Sequence, residues 1–202
     1  FDGALAVTGA EDLTQKTTSG VSDIASALDR ALALPVAAVA PAEPVAGAHF
    51  LQLDAASSKT AQAAAEVENK VLEILRSDNW TEQLFPIFSG GQAGMNYAWL
   101  ASAQAFRDNV LSHGLGVAVQ LVPASQIMGI DGAYAAAGPD GRPVIYLNEE
   151  RYAQLGDAFA VRVLLEETGH WIDNQINGAT DSQGDEGERF ADTVLNVQLS
   201  DC

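Results

Sequence analysis

The most regular hydrophobic pattern in the chain lies between Asp157 and Asn177. Its apolar positions recur every three or four residues, as they do along one face of an α-helix. They are Val161, Leu164, Leu165, Ile172 and Ile176. Glu166, His170 and Asp173 form a polar stripe beside them, since residues three or four apart share a helix face. The pattern predicts a helix over 157–177 that carries a polar site.

Gly169 stands in the interior of this predicted helix. A glycine there costs about 1 kcal/mol relative to alanine, so its presence calls for a physical reason. We expect another part of the molecule to approach the backbone closely at this position.

Similar patterns predict the helices of the first half of the chain. A short helix over 20–34 precedes an Ala/Pro-rich segment, 35–47, which is typical of an extended linker or arm. A helix is predicted from Ser58 to about Asp78, with Ser57 or Ser58 as its N-cap. Another helix is predicted from Tyr97 to His113.

Strand signals occur in four places. Residues 50–53 and 117–122 are short apolar runs. Residues 133–137 and 144–147 flank a Gly-Pro-Asp-Gly turn, and this combination predicts a β-hairpin. Asn148 follows the hairpin and is expected to cap a short helix.

The order of these elements indicates an α+β fold, with helices around a small mixed sheet. A final helix is predicted from about 186 to 199. We assign residues 1–47 to an N-terminal helix and arm or linker, and residues 48–202 to the folded domain.

The composition restricts the possible partners. The chain has 10 Lys and Arg residues against 27 Asp and Glu residues, for a net charge of −17. Nucleic acids and anionic membranes are excluded as expected partners, because they require a basic surface. No apolar run reaches membrane-spanning length, so we expect no membrane insertion. Cys202 is the single cysteine, which rules out a disulfide within the chain.

The candidate chemistry lies in two acidic segments. Residues 164–173 read LLEETGHWID, and residues 186–192 read EGERFAD. Together they resemble the gluzincin class of zinc metallopeptidases, which includes thermolysin-like and lethal-factor-like enzymes. In that class one helix carries HExxH and a later helix supplies a Glu ligand, often followed by an acidic residue four positions on.

The resemblance implies a zincin-like fold with an active-site helix, and it implies roles for five residues. Glu166 matches the first metal ligand, Glu167 the general base and His170 the second ligand. Glu188 matches the third ligand, with Asp192 as its companion. The chain departs from the class at Glu166, where the motif has His.

The resemblance also implies how a substrate would be held. The strand over 144–147 is similar to the edge strand along which such peptidases align a peptide. Tyr146 is then the catalytic tyrosine that we expect to stabilise the oxyanion, with Tyr152 and Tyr134 as alternatives. Asp173 is expected to orient His170.

A site with two carboxylates and one imidazole suits zinc, and also manganese or iron(II). The extra negative charge lowers the Lewis acidity of the metal. The expected function is therefore a metal-dependent peptidase-like domain that acts on a peptide or protein.

Two alternatives remain open. The domain is an inactive zincin relic that serves as a structural or adhesion module, or calcium stabilises it through the loop residues Asp181, Asp185 and Glu186. The acidic, Lys-poor and Cys-poor composition resembles calcium-dependent proteins exported by type I secretion. We therefore expect a secreted bacterial protein that uses a non-classical export route.

Overall fold

One mixed sheet is formed by four strands within residues 50–178 and 185–197, which are the residues that the computed structural model describes. The strands are β1 (Leu51–Leu53), β2 (Val117–Val122), β3 (Gly132–Ala135) and β4 (Val144–Asn148). β1, β2 and β4 are parallel to one another, and β3 is antiparallel to β4. The order across the sheet is β1-β2-β4-β3, so β1 and β3 are its edges.

Six helices accompany the sheet in the described part of the chain. They are α1 (Ala61–Arg76), α2 (Trp80–Phe88), α3 (Tyr97–Leu111), α4 (Glu149–Leu155), α5 (Asp157–Asn177) and α6 (Glu186–Val197). α5 is the central helix, because it packs against α1, α3, α6 and β3. The architecture is therefore α+β, as the order of elements predicted. None of these helices combines the length and the apolar character that a membrane span requires.

The apolar stripe of α5 forms the centre of the core. All five of its predicted residues are buried, and Trp171 is fully buried beside them. The Trp171 ring stacks on Phe50 with centroids 5.5 Å apart and meets the Phe106 ring edge-on at 5.3 Å. Large aromatic rings contribute much of the apolar area that a core buries. This packing fixes the rotation of α5 and therefore leaves Glu166 and His170 only partly buried, away from the core.

Local signals in the sequence predicted several elements correctly. α5 spans the predicted 157–177, and β3 and β4 form the predicted hairpin. Asn148 caps α4, because its side-chain Oδ1 accepts a hydrogen bond from the backbone N–H of Arg151. The predicted helix over 20–34, the arm over 35–47 and Asp181 lie outside the described residues.

Two expectations were wrong, and one helix was not predicted. Ser57 and Ser58 do not cap α1, which begins at Ala61 after a 3-10 turn; the buried Ser57 hydroxyl instead accepts the backbone N–H of Leu121. β4 is not an edge strand, because β3 covers it. The unpredicted α2 contains Pro86, a residue that normally disfavours a helix interior.

A close crossing between α5 and α6 explains the glycine inside α5. A methyl group added at Gly169 would lie 2.7 Å from the Cα atom of Gly187 in α6. A methyl group added at Gly187 would lie 2.5 Å from the carbonyl oxygen of Glu166 and 2.6 Å from Nε2 of His170. The two glycines therefore allow the helices to touch backbone to backbone, which confirms the expected close approach.

We expect Gly169→Ala to destabilise the fold, although alanine is the better helix former by about 1 kcal/mol. Overpacking of this kind costs about 1–3 kcal/mol, so the free energy of unfolding in urea should fall. Gly94→Ala is the matched control, because its methyl group would meet no atom within 4 Å. A Gly169→Ala protein as stable as the wild type would show that the helices are not in close contact.

Candidate metal centre

Three potential ligand side chains meet where α6 crosses α5. Glu166, His170 and Asp185 each offer one ligand atom, and these atoms lie within 4.8 Å of one another. Glu166 and His170 are one turn apart on α5. Asp185 immediately precedes α6, and its Oδ1 accepts the backbone N–H of Glu188 at 2.8 Å. The glycine crossing thus brings the N-terminus of α6, with its capping carboxylate, onto the polar stripe of α5.

His170 is held by a second carboxylate from α6. Oε1 of the buried Glu186 lies 2.9 Å from Nδ1 of His170. When Nδ1 carries the proton and donates a hydrogen bond to Glu186, the Nε2 lone pair is available to bind a metal. Nε2 lies 3.7 Å from Oδ1 of Asp185. Glu186 therefore has the orienting contact that the sequence pattern assigned to Asp173.

Asp173, Glu188 and Asp192 are not members of this group of three ligand side chains. Asp173 is buried, and its Oδ1 accepts a hydrogen bond from Nδ2 of Asn177. Glu188 is exposed, and its Oε1 lies 3.8 Å from Nη2 of Arg162. Asp192 accepts a hydrogen bond from Nη1 of the same arginine at 2.8 Å. The structure therefore brings Glu166 and His170 together with Asp185, while Glu188 and Asp192 contact Arg162.

The sequence contained a signal for Asp185 that differs from the zincin pattern. A helix was expected to begin at about residue 186, which places residue 185 at its N-cap. Aspartate is favoured at that position because its side chain accepts a backbone N–H of the first turn. The sequence pattern assigns Asp185 and Glu186 to an alternative calcium loop, and their contacts with His170 depend on the helix crossing.

Glu167 lies next to this group and is almost fully buried, with 5% of its surface exposed. Its pKa is raised to about 7, mainly by burial and in smaller part by the charge of Glu166. The charge of His170 and the backbone N–H of Tyr134 lower the pKa, but to a smaller extent. Such a carboxyl group takes up and releases a proton near neutral pH.

Gly132 in the edge strand β3 makes room for this side chain. A methyl group at Gly132 would lie 2.9 Å from Oε1 of Glu167 and 2.4 Å from Cγ1 of Val163. The edge strand therefore passes directly over Glu167 because it has no side chain at this point.

An open cleft of about 510 Å³ lies between β3, α5 and the start of α6. It is lined by Gly132, Tyr134, Glu167, His170, Asp173, Asn174, Gly178 and Glu186. Across the cleft, the hydroxyl group of Tyr134 donates a hydrogen bond to Oδ1 of Asn174 at 3.1 Å. Burial raises the pKa of Tyr134, so its phenol keeps its proton and remains a donor.

Tyr134 is the candidate tyrosine that lines the cleft. Tyr146 lies between Ile145 and Leu147, which are both buried in the core. Successive strand residues point to opposite faces, so Tyr146 occupies the other face of the sheet. The Tyr152 hydroxyl lies 2.7 Å from the carbonyl oxygen of Lys59. The earlier assignment of Tyr146 as the catalytic tyrosine therefore does not agree with its position.

The charges of the group influence one another. Burial and the charge of Asp185 raise the pKa of Glu166. Burial lowers the pKa of His170, but its hydrogen bond with Glu186 and the neighbouring carboxylates outweigh burial and raise it. Without a cation, Glu166 and His170 therefore retain protons more strongly than isolated side chains do. A cation that binds here competes with those protons.

The donor set can hold a metal ion. Two carboxylate oxygens and one imidazole nitrogen are ligands that zinc, manganese and iron(II) accept. Metal–ligand bonds of about 2.0–2.2 Å require the three atoms to approach more closely than 4.8 Å. The Asp185 side chain has the most room for this adjustment, because about half of its surface is accessible.

Removing the Glu167 carboxyl group should change how the stability of the metal-free protein depends on pH. Its pKa is about 7 in the fold against 4.5 ordinarily, so the folded state binds this proton more tightly than the unfolded state. The resulting stabilisation is complete below about pH 4.5 and is lost as the pH rises through about 7. With chelator present, the urea midpoint of the wild type should decline over this range relative to that of Glu167→Gln.

Glu73→Gln provides the control for this measurement, because Glu73 is exposed on α1. Its urea midpoint should follow that of the wild type across the pH range. If the wild type and Glu167→Gln differ by a constant amount, the pKa of Glu167 is not raised.

Comparisons of the chain with protein-family models, with curated proteins and with solved structures found no match. The case for a metal centre therefore rests on the residues themselves, on their contacts and on the helix crossing that brings them together.

Proposed function

We propose that the chain is a metal-dependent hydrolase of the zincin type that acts on peptide bonds. One observation carries the proposal: the group of Glu166, His170 and Asp185 lies next to the buried Glu167, in a cleft bordered by the edge strand β3. Ligands, a proton acceptor and a strand edge are the parts that metal-assisted peptide hydrolysis requires. The proposal retains the gluzincin resemblance and replaces Glu188 with Asp185 as the third ligand.

The ligand residues have distinct tasks. Glu166, His170 and Asp185 would hold the metal, and Glu186 would keep the proton on Nδ1 of His170 so that Nε2 faces the ion. The bound metal would supply Lewis-acid activation of water and of a substrate carbonyl group. The preferred ion is zinc, with manganese and iron(II) as the next candidates, because carboxylate-rich sites suit them also.

Glu167 and Tyr134 would act on the substrate side of the cleft. Glu167 accepts a proton from the attacking water and passes it to the leaving amine, a task suited to its pKa of about 7. The Tyr134 phenol donates a hydrogen bond toward the oxygen on which negative charge develops. β3 replaces the strand over 144–147 as the edge along which an extended peptide would lie.

A specific observation also favours the inactive relic. Both ring nitrogens of His170 face carboxylates, with Glu186 at Nδ1 and Asp185 at Nε2. When His170 is protonated, these contacts join α5 to α6 without a metal, as a structural or adhesion module would need. Calcium is the third possibility and would use the Asp185 carboxylate. In each case we propose a secreted protein, as its acidic composition suggests.

Glu167→Gln should separate catalysis from metal binding. We expect wild-type protein purified without chelator to contain one zinc or manganese ion per chain, measured by elemental analysis. The variant should bind the metal equally well, while cleavage of an unfolded protein substrate, followed by mass spectrometry, falls about 10²- to 10⁴-fold.

The other outcomes separate the alternatives. Equal cleavage by Glu167→Gln would remove Glu167 as the base. Bound transition metal without cleavage would indicate a structural metal site, and bound calcium would favour the calcium-stabilised module. Absence of metal would favour the relic.

Glu166→His should strengthen zinc binding, because it restores HExxH on the existing helix. A neutral imidazole would also leave more positive charge on the metal than a carboxylate does, so a water bound there would be more acidic. Isothermal titration of both proteins with zinc tests this. An unchanged or weaker affinity would mean that position 166 does not contact the ion.

A further inference from the structure

Arg162 contacts the two acidic residues that the zincin pattern matched to the third ligand and its companion. Nη1 of Arg162 lies 2.8 Å from Oδ1 of Asp192, and Nη2 lies 3.8 Å from Oε1 of Glu188. Arg162 is also one helical turn before Glu166 on α5, and the two charges interact. The guanidinium group therefore contacts Glu188 and Asp192 on α6 and interacts with the charge of Glu166 in the ligand group.

We propose that Arg162 is a positioning residue that holds the Glu188 side chain away from the metal group, so that Asp185 supplies the third ligand. This inference rests on the proposed metal centre. It explains why the acidic pattern of α6 resembles a gluzincin site, whereas a different carboxylate lies beside His170.

Glu188 makes two contacts that keep its own carboxylate apart from that of Asp185. The backbone N–H of Glu188 donates to Oδ1 of Asp185 and holds that carboxylate next to His170. The Glu188 side chain extends in another direction, toward Arg162. The planar fork of a guanidinium group can contact two carboxylates at once, and Asp192 supplies the second. A single arginine therefore anchors both acidic residues on this face of α6.

Loss of Arg162 would change the balance between the two possible ligands. Glu188 and Asp192 are one turn apart on α6, and without a cation between them their charges repel. Glu188 contacts Arg162, which stands one helical turn before Glu166 on α5. A released Glu188 side chain is therefore near enough to compete with Asp185 for a cation that Glu166 and His170 hold.

The test is a set of zinc affinities, each measured by competition with a chromophoric chelator. In the wild-type background, Asp185→Asn should weaken zinc binding by about 10-fold or more, comparable with other losses around metal sites. Glu188→Gln should change it by less than about twofold. In the Arg162→Met background, Glu188→Gln should weaken zinc binding, and Asp185→Asn should weaken it less than it does in the wild type.

Arg162→Lys provides the conservative rescue. Lysine retains the positive charge but not the planar guanidinium group. In this variant, Asp185→Asn should again weaken zinc binding more than Glu188→Gln does. If Arg162 has a purely structural role, its replacement should lower stability. The effect of Glu188→Gln on zinc affinity should then be the same with and without Arg162. Arg162 is partly exposed, and circular dichroism of each variant checks its fold.

The possible failures can be distinguished. If Glu188→Gln weakens wild-type binding as strongly as Asp185→Asn, the proposed role of Arg162 is wrong and the metal centre stands. The same conclusion follows if positions 162 and 188 show no coupling. If wild-type protein binds neither zinc nor manganese, the metal centre and the role of Arg162 are both wrong.

Discussion

The contact on which the site depends is the crossing of α5 and α6 at Gly169 and Gly187. Neither glycine has room for a side chain, so the two backbones meet directly and the N-terminus of α6 lies over the polar stripe of α5. Asp185 and Glu186 reach His170 from opposite sides for this reason. With ordinary helix spacing of about 8–10 Å, these short acidic side chains would stand further from the ring.

The crossing concentrates negative charge, and the structure offsets that charge in three ways. His170 contacts two carboxylates, and Arg162 contacts two others. Glu167 has a raised pKa because it is buried, so it remains partly protonated near neutral pH. In a chain with a net charge of −17, the group formed by Glu166, His170 and Asp185 could also accept a cation.

Local patterns predicted the elements, whereas the partners of the site residues required the tertiary structure. The period of α5 and the turn of the β3–β4 hairpin are encoded within a few residues, and both elements formed as predicted. The contact of Glu186 with His170 depends instead on where two helices cross. Tyr134 lines the cleft and Tyr146 does not because of the strand order and the alternation of side chains along each strand. The strand order depends on several segments of the chain that are distant in sequence. α2 was not predicted, and it contains Pro86, a residue type that normally disfavours a helix interior.

Trp171 follows His170 directly, and the two side chains serve different purposes. His170 faces the cleft, whereas the Trp171 ring is fully buried between Phe50 and Phe106. A candidate ligand and a core residue thus share a single peptide bond. If the proposed metal centre exists, a deep mutational scan would score both positions as intolerant for different reasons. A separate abundance measurement would then show that substitutions at Trp171 reduce the amount of folded protein, while those at His170 leave that amount largely unchanged.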